Sequence, residues 1–391
     1  MPRFCISLTV LLAAAGIPIS ALFLQGCTSS GESTATATNA EVNAKADEAI
    51  RQLESAVSAT GPHGESAAAA SEVDLTDSDI DTVKAMGATA AIAMHTSGDD
   101  WSAAQIAGLT SRFNELGIKI TSTTDANMDP SKQVSDVETI LAQKPNILVS
   151  IPTDPVATAS AYRMAVDQGV KVVFMDNCPD GFTAGSDYAC VVSSDNYGNG
   201  AISAHLMAKT LGGQGKIAAI YYEADYFVTN QRYQGFKETL TSNYPDIRII
   251  AERGISGSDL AGSAQKQADA LLSQNADLNG IWAVWDVPAE GVIAAARSAS
   301  RTDLGVASED LGKNVAIAMA QGQYVCGLGA QRPYDAGITE ANAAVKALFG
   351  QTIPAFIALS PLAVTRDNVA DAWRSVYHTD PPEEVRQALE G

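Results

Sequence analysis

Ile147-Leu148-Val149-Ser150-Ile151, then an amphipathic stretch from about Val156 to Gln168, then Val170-Lys171-Val172-Val173-Phe174-Met175 ending in Asp176-Asn177: this run decides the fold. Both short segments are apolar on either face, and a helix-length stretch separates them. Strands of that kind tolerate no contact with water on either side, so they belong to a parallel sheet covered by helices, the doubly wound α/β pattern. Working outward, the same alternation appears upstream: Thr89 to Met94 precedes a helical Ser102 to Leu116, and Ile118 to Thr123 precedes Pro130 to Gln143. One α/β lobe is complete by about residue 193.

Downstream a second series begins. Helical spacing runs over Gly198 to Leu211, Gln231 to Ser242, Ala261 to Ser273 and Ala289 to Ala299, and strands are expected at Lys216 to Tyr221, Ile247 to Glu252 and Gly280 to Val284. Further strand material is expected near Val315 and at Tyr324 to Leu328. Two such series joined end to end predict two similar lobes. Open sheets receive ligands beyond the carboxyl ends of their strands, which makes the cleft between the lobes the default site.

The residues at those strand ends share a chemistry. Asp99-Asp100-Trp101 follow the first strand, Asp176-Asn177 the fourth, Trp285-Asp286 the strand at Gly280 to Val284, and Glu309-Asp310 a further one. A carboxylate accepts from two adjacent hydroxyls, an amide both donates and accepts, and an indole covers the C–H face of a sugar. This is an inventory for holding a polyhydroxyl compound. Each group also has a plainer role available: Asp99 can cap a helix, Asp176 can brace a loop.

The amino terminus sets the compartment. Arg3 precedes an almost wholly apolar Ile6 to Leu24, followed by Leu24-Gln25-Gly26-Cys27, so residues 1–26 are expected to be an export signal. Its ending resembles a bacterial lipobox, which would make Cys27 a lipidated first residue; an ordinary cleaved signal with an incidental cysteine is the alternative. Residues 27–86, rich in Ala, Ser, Thr, Glu and Asp, are expected to form a polar tether, within which Val42, Ala46, Ala49, Ile50, Leu53, Ala56 and Val57 recur at helical spacing, so that one amphipathic helix can form and dock. Cys178 and Cys190 bracket a loop in a chain bound for an oxidising compartment, and their spacing leaves open whether they are bridged. Cys326 is expected to be a small buried hydrophobe.

Composition excludes several functions. The formal net charge of −20 opposes nucleic acid and anionic membranes, leaving a lipid anchor as the only membrane attachment expected. The four histidines, His63, His95, His205 and His378, stand apart with no metal-type pairing, and no Gly-x-Ser-x-Gly elbow occurs. Gly212-Gly213-Gln214-Gly215-Lys216 lacks the spacing and the Ser or Thr of a phosphate loop. No enzyme, metal or cofactor is expected.

Residues 88–360 resemble the ribose- and galactose-type periplasmic sugar-binding proteins, the type I solute-binding lipoproteins of bacterial ABC importers. The resemblance rests on Thr96 to Trp101, Pro152-Thr153-Asp154, Ser194-Asp195-Asn196 with Gly198 and Gly200, Gly329-Ala330-Gln331 with Asp335 and Gly337, and Leu359 to Pro361. It implies two doubly wound lobes joined by a three-strand hinge near Asp195, Gln331 and Ser360: an N-terminal lobe of residues 87–194 with 332–359, and a C-terminal lobe of 195–331 with 360–391. It also implies a site. Asp99, Asp100, Trp101, Asp176 and Asn177 would bind from the first lobe; Asn230, Arg232, Trp285, Asp286 and Asp310 from the second; Gln331 from the hinge. Asn177 and Asn230 stand where arginines are expected for ribose, and Arg232 can compensate for one of them or pair instead with Glu223 or Asp225. Tyr197, Tyr221 and Tyr226 are expected as packing or rim residues. The implied function is capture of a small neutral sugar or sugar alcohol by a monomer that delivers it to ABC permease subunits outside the cytoplasm; the alternative is a sensing role toward a chemoreceptor or sensor kinase.

Overall fold

The computed structural model describes residues 38–390. The expected signal segment 1–26 and the lipidation site Cys27 lie outside the described residues. The chain opens with α1 (Asn39–Ser55), started by a reciprocal cap in which Thr38 and Glu41 satisfy each other's backbone amides. A short 3-10 turn (Ala70–Val73) and α2 (Asp77–Met86) follow. Strands and helices then alternate: β1 (Thr89–Met94), α3 (Asp100–Glu115), β2 (Lys119–Asp125), α4 (Pro130–Ala142), β3 (Ile147–Ser150), α5 (Ala159–Asp167), β4 (Lys171–Met175) and β5 (Val191–Ser194).

The second series comprises α6 (Asn196–Thr210), β6 (Gly215–Tyr222), α7 (Phe227–Asn243), β7 (Ile247–Ile255), α8 (Leu260–Gln274), β8 (Gly280–Ala283), α9 (Asp286–Ser298), β9 (Gly305–Glu309), α10 (Lys313–Ala320) and β10 (Val325–Ala330). The chain closes with α11 (Pro333–Leu348), β11 (Phe356–Leu359), β12 (Leu362–Val364), α12 (Val369–Tyr377) and α13 (Glu383–Glu390). Val315, expected near strand material, lies inside α10, and the neighbouring strand is β9.

Two six-stranded sheets result, ordered β11-β5-β4-β3-β1-β2 and β12-β10-β9-β8-β6-β7. Every strand pair is parallel except β10 with β12. The chain passes between sheets after β5, after β10 and between β11 and β12, and α11 packs back on α3 of the first lobe. The inner strands β3 and β4 are buried on both faces because helices cover both, the condition read from Ile147–Ile151 and Val170–Met175, while the edge strands β2 and β7 are partly exposed.

Close helix contacts prepare the site. A Cβ on Gly200 would sit 2.0 Å from the Arg232 carbonyl oxygen, and one on Gly235 would sit 2.1 Å from that of Tyr197. Glycine at both positions lets α6 and α7 touch backbone to backbone, which brings Arg232 beside the first residue of α6.

Two expectations are corrected. Residues 38–86 are not a solvated tether: they fold onto both lobes. Val42, Ala46 and Ile50 of α1 are buried against the second lobe, where Lys45 Nζ donates to the Asn243 carbonyl (2.7 Å) and Ala363 N donates to Glu54 Oε1 (2.9 Å). Beyond α1 the chain crosses at the hinge, where Ser58 N donates to the Asp195 carboxylate and Gln231 Nε2 to the Thr60 carbonyl (2.9 Å). Ala59 then enters the first lobe's core, Ala68 pairs with Ile357 of β11, and Val73 and Val83 are buried there. Cys178 and Cys190 are both free. They pack on opposite faces of the first sheet, Cys178 with Phe174, Phe182 and Tyr188, Cys190 with Met175 and Val192, so their side chains point away from each other. Cys326, expected to be buried, is partly exposed, and its thiol donates to the Val306 carbonyl (3.1 Å).

The carboxyl-terminal helices also join the lobes. Trp373, Val376 and Val385 pack into the second lobe's core, and Tyr377 OH donates to the Leu311 carbonyl (2.6 Å). His378 reaches the first lobe: it stacks on Tyr334 (4.2 Å between centroids) and lies 2.8 Å from the Asp335 carboxylate.

Candidate ligand-binding site

A cavity of about 380 Å³ lies between the lobes, walled by loops that follow the strands of both sheets. Asp99 caps α3, accepting from Ser102 N (2.7 Å), and still faces the cavity; burial raises its pKa. The capping and binding roles therefore coexist. Trp101 stands on the first turn of α3, edge-on to His95 (6.0 Å), and its indole N–H donates to Gln331 Oε1 at the hinge (3.2 Å).

Asp176 and Asp310 occupy matching places at the ends of β4 and β9, and both have left-handed backbones, φ 53° and 62°. Only a few per cent of non-glycine residues do so, aspartate more readily than most, and such backbone strain concentrates at functional sites. Each turn aims a carboxylate into the cleft. Asp176 accepts from Ser193 Oγ (2.6 Å), and burial pushes its pKa up to about 6. Asp310 accepts from Arg232 Nη1 (2.8 Å), while its other oxygen is buried with no partner in the protein. Asn177 is buried as well, and both polar atoms of its amide lack a protein partner. Burying an amide unbonded costs roughly 1–3 kcal/mol, which a bound hydroxyl would recover.

Arg232 is enclosed. Besides Asp310 it donates from Nε to Asn196 Oδ1 (2.9 Å) and from Nη1 to the Val284 carbonyl (3.3 Å). Asn196 in turn donates to Ser193 Oγ (3.1 Å), the group bonded to Asp176. A continuous hydrogen-bonded chain thus runs from Asp310 through Arg232, Asn196 and Ser193 to Asp176, crossing the hinge between the lobes. Arg232 pairs with neither Glu223 nor Asp225.

Trp285 stands edge-on to Tyr222 (5.5 Å), itself near Tyr226 (5.9 Å), and together they form an aromatic wall on the second lobe. Asp286 caps into its own helix, accepting from Val287 N (2.8 Å). Burial, with Asp310 and then Asp99 nearby, raises its pKa well above the carboxylate range. Gly312 leaves room for it, since a Cβ there would lie 2.0 Å from Asp286 Oδ2.

Of the residues expected from sequence, Asp99, Trp101, Asp176, Asn177, Arg232, Trp285, Asp286, Asp310 and Gln331 line this cavity. Asp100 and Asn230 do not. Asp100 Oδ2 accepts from Lys313 N (2.7 Å), pinning the start of α3 to the start of α10 across the cleft. Asn230 is exposed and bonds Asp225 (2.8 Å), because on α7 it lies a helical step away from the face shared by Thr229 and Arg232. His95 and Tyr222 line the cavity without having been singled out, and Tyr226, expected as a packing or rim residue, lines it too; His95 follows β1, Tyr222 ends β6 and Tyr226 lies just beyond it, the strand-end signal by which the first two could have been found. Tyr226 OH also donates to the Thr153 and Pro152 carbonyls, the latter at 3.2 Å, closing one side of the cleft. Among the described residues no group of three or more His, Cys, Asp and Glu side chains could hold a metal ion, and no helix is long and apolar enough to cross a membrane.

Residues 90–352 match the family model of the periplasmic binding protein domain. The chain is 24% identical over 231 residues to the ribose import binding protein of Haemophilus influenzae, covering 57% of this chain and 76% of the relative. It is 25% identical over 252 residues to a xylitol-binding protein of Mycolicibacterium smegmatis, covering 62% and 68%. An arabinose-binding protein from Geobacillus stearothermophilus shares its fold with a TM-score of 0.64 at 24% identity, over 72% of this chain and 98% of that one.

Proposed function

Because the chain belongs to the periplasmic binding protein family, we propose that it captures a small neutral sugar or sugar alcohol between its lobes outside the cytoplasm and delivers it, as a monomer, to an ABC permease. The observation that carries this reading is the unpartnered set in the cleft: the Asn177 amide and Asp310 Oδ1, beside Trp101 and Trp285. These groups are desolvated without the protein partners that buried polar atoms ordinarily have, so they are prepared for hydroxyls supplied by a ligand. A sugar touching Asp99, Trp101, Asp176 and Asn177 on one side and Arg232, Trp285, Asp286 and Asp310 on the other stabilises the closed arrangement by its contacts with both lobes. Arg232 is already neutralised by Asp310, so an anionic ligand has no free cation to meet and a neutral one is favoured. The named relatives that import ribose and bind xylitol support a pentose or pentitol in particular. Attachment to the membrane through lipid on Cys27 belongs to the same proposal.

A thermal-shift screen of the purified protein against pentoses, hexoses and sugar alcohols tests it. Ligand at 100 times its dissociation constant adds about 2.7 kcal/mol of stability. A raised melting temperature with one of these compounds, reduced in Asn177→Ala and Trp285→Ala, is expected; no shift with any of them would reject the ligand class.

A further inference from the structure

The cavity changes character along its length. Its carboxylates follow β1, β4, β8 and β9, with Asn177 after β4 and Gln331 after β10. β2 and β7 are instead the outermost strands, at the edges farthest from the crossings. The loop after β2 contributes Met128 and the start of α8, after β7, contributes Leu260; both line the same cavity as Asp176 and Asp310. Val287 and Tyr222 continue that surface inward. Met128 is exposed at 36%, one of the few large apolar side chains in the described residues that are. A single exposed methionine is ordinary in a soluble protein. Its place in the same lining as Leu260, Val287 and Tyr222 is what gives it direction: beside Asn127 and Ser258, which also line it, this end offers apolar surface and no carboxylate.

The volume points the same way. About 380 Å³ lies within the roughly 300–1,000 Å³ typical of sites for drug-sized ligands, and a bare pentose held by the hinge-proximal polar groups leaves the distal end unfilled. Resting on the sugar-binding reading above, we propose that the distal end is an aglycone subsite, and that the preferred ligand is a sugar bearing an apolar substituent, its hydroxyls at the polar end and its substituent between Met128 and Leu260. The substituent and the apolar walls leave water together, which adds affinity without another hydrogen bond.

Calorimetric titration of the full-length protein with D-ribose, D-arabinose and D-xylose, each free and as its phenyl glycoside, tests the subsite. At least one glycoside is expected to bind about tenfold or more tighter than its parent sugar. Met128→Ser and Leu260→Ser should each reduce that advantage while leaving the free sugar's affinity unchanged; Met128, being exposed, can be replaced without risk to the fold. Equal binding of free and substituted sugars, or exclusion of the substituted ones, overturns the subsite and leaves sugar binding intact. Failure of all six compounds to bind overturns the pentose preference and the subsite that rests on it, while the wider screen still decides sugar binding.

Discussion

Arg232 and Asp310 are an ion pair with almost no access to water, so removing one leaves the other charged and alone. Arg232→Met is therefore expected to cost about 3 kcal/mol of stability in chemical denaturation, although methionine keeps an unbranched apolar stem. Asn177→Ala should behave oppositely. Its amide bonds nothing in the protein, so the melting temperature should hold while sugar affinity falls about tenfold. Glu309 gives a pH signature. It lies buried beneath the site, accepting from Ser203 Oγ (2.9 Å) and Trp282 Nε1 (3.2 Å), and burial pushes its pKa up to about 8. The folded protein keeps a proton that the unfolded chain releases near pH 4.5, so stability falls as pH rises from about 4.5 to about 8 and levels off above. Glu309→Gln retains an acceptor for both donors and removes that decline; its melting-temperature advantage over wild type should grow across this window, and a constant difference would contradict the argument. His205, bonded to Tyr244 OH (2.7 Å), has the reverse sign: burial pushes its pKa down to about 4, so its share of stability is lost as pH falls from about 6.5 to about 4. At this scale sequence named nine of the cavity's residues, because acids, amides and indoles at strand ends are visible in one dimension. Asp100 and Asn230 were misplaced because a helix turns adjacent residues about 100° apart, a rotation that a list of strand-end residues ignores.

Helix α1 shows what periodicity conveys and what it leaves out. The spacing of Val42, Ala46 and Ile50 announced an amphipathic helix, and these three are its buried residues. Nothing in the spacing identified the receiving surface, Ile202 and Leu206 on α6 with Ala363 of β12 for Ile50, and the core around Met207 and Ala208 of α6 for Val42. Ala46 is fully buried in that contact. Ala46→Asp would place an unpaired carboxylate there and should detach α1, at a cost of about 2 kcal/mol or more. Hydrogen exchange would then rise in α1 and on α6 while β1 to β5 remain protected; unchanged exchange in α1 would mean that the docking contributes little. The cysteine pair makes the complementary point. Spacing allowed a bridge, but the turn after β4 carries Cys178 into the core on one face of the sheet while Cys190, just before β5, packs in the core on the other.

Across the whole molecule the lobes are connected by more than the three crossings near Asp195, Gln331 and Ser360. Residues 38–86 add a strap, anchored by α1 on the second lobe and by Ala59, Val73 and Val83 on the first, and His378 adds a contact on Tyr334 and Asp335. A flexible Gly-Ser insertion between Ser55 and Ala56 slackens the strap without removing any packed side chain. It should enlarge the unliganded protein in small-angle scattering and weaken sugar binding severalfold, with little change in melting temperature; identical scattering would show that the strap bears no tension. The amino-acid sequence by itself determined the two doubly wound lobes, the cleft between them and the chemistry lining it, because apolar runs, helical spacing and strand-end residues are local patterns. Only the tertiary structure decided which of those residues face the cavity, that Arg232 is spent on Asp310, and that a segment with the composition of a tether clasps both lobes. Those outcomes depend on which distant surfaces meet, and the partners stand as far apart in the chain as Ser58 and Asp195.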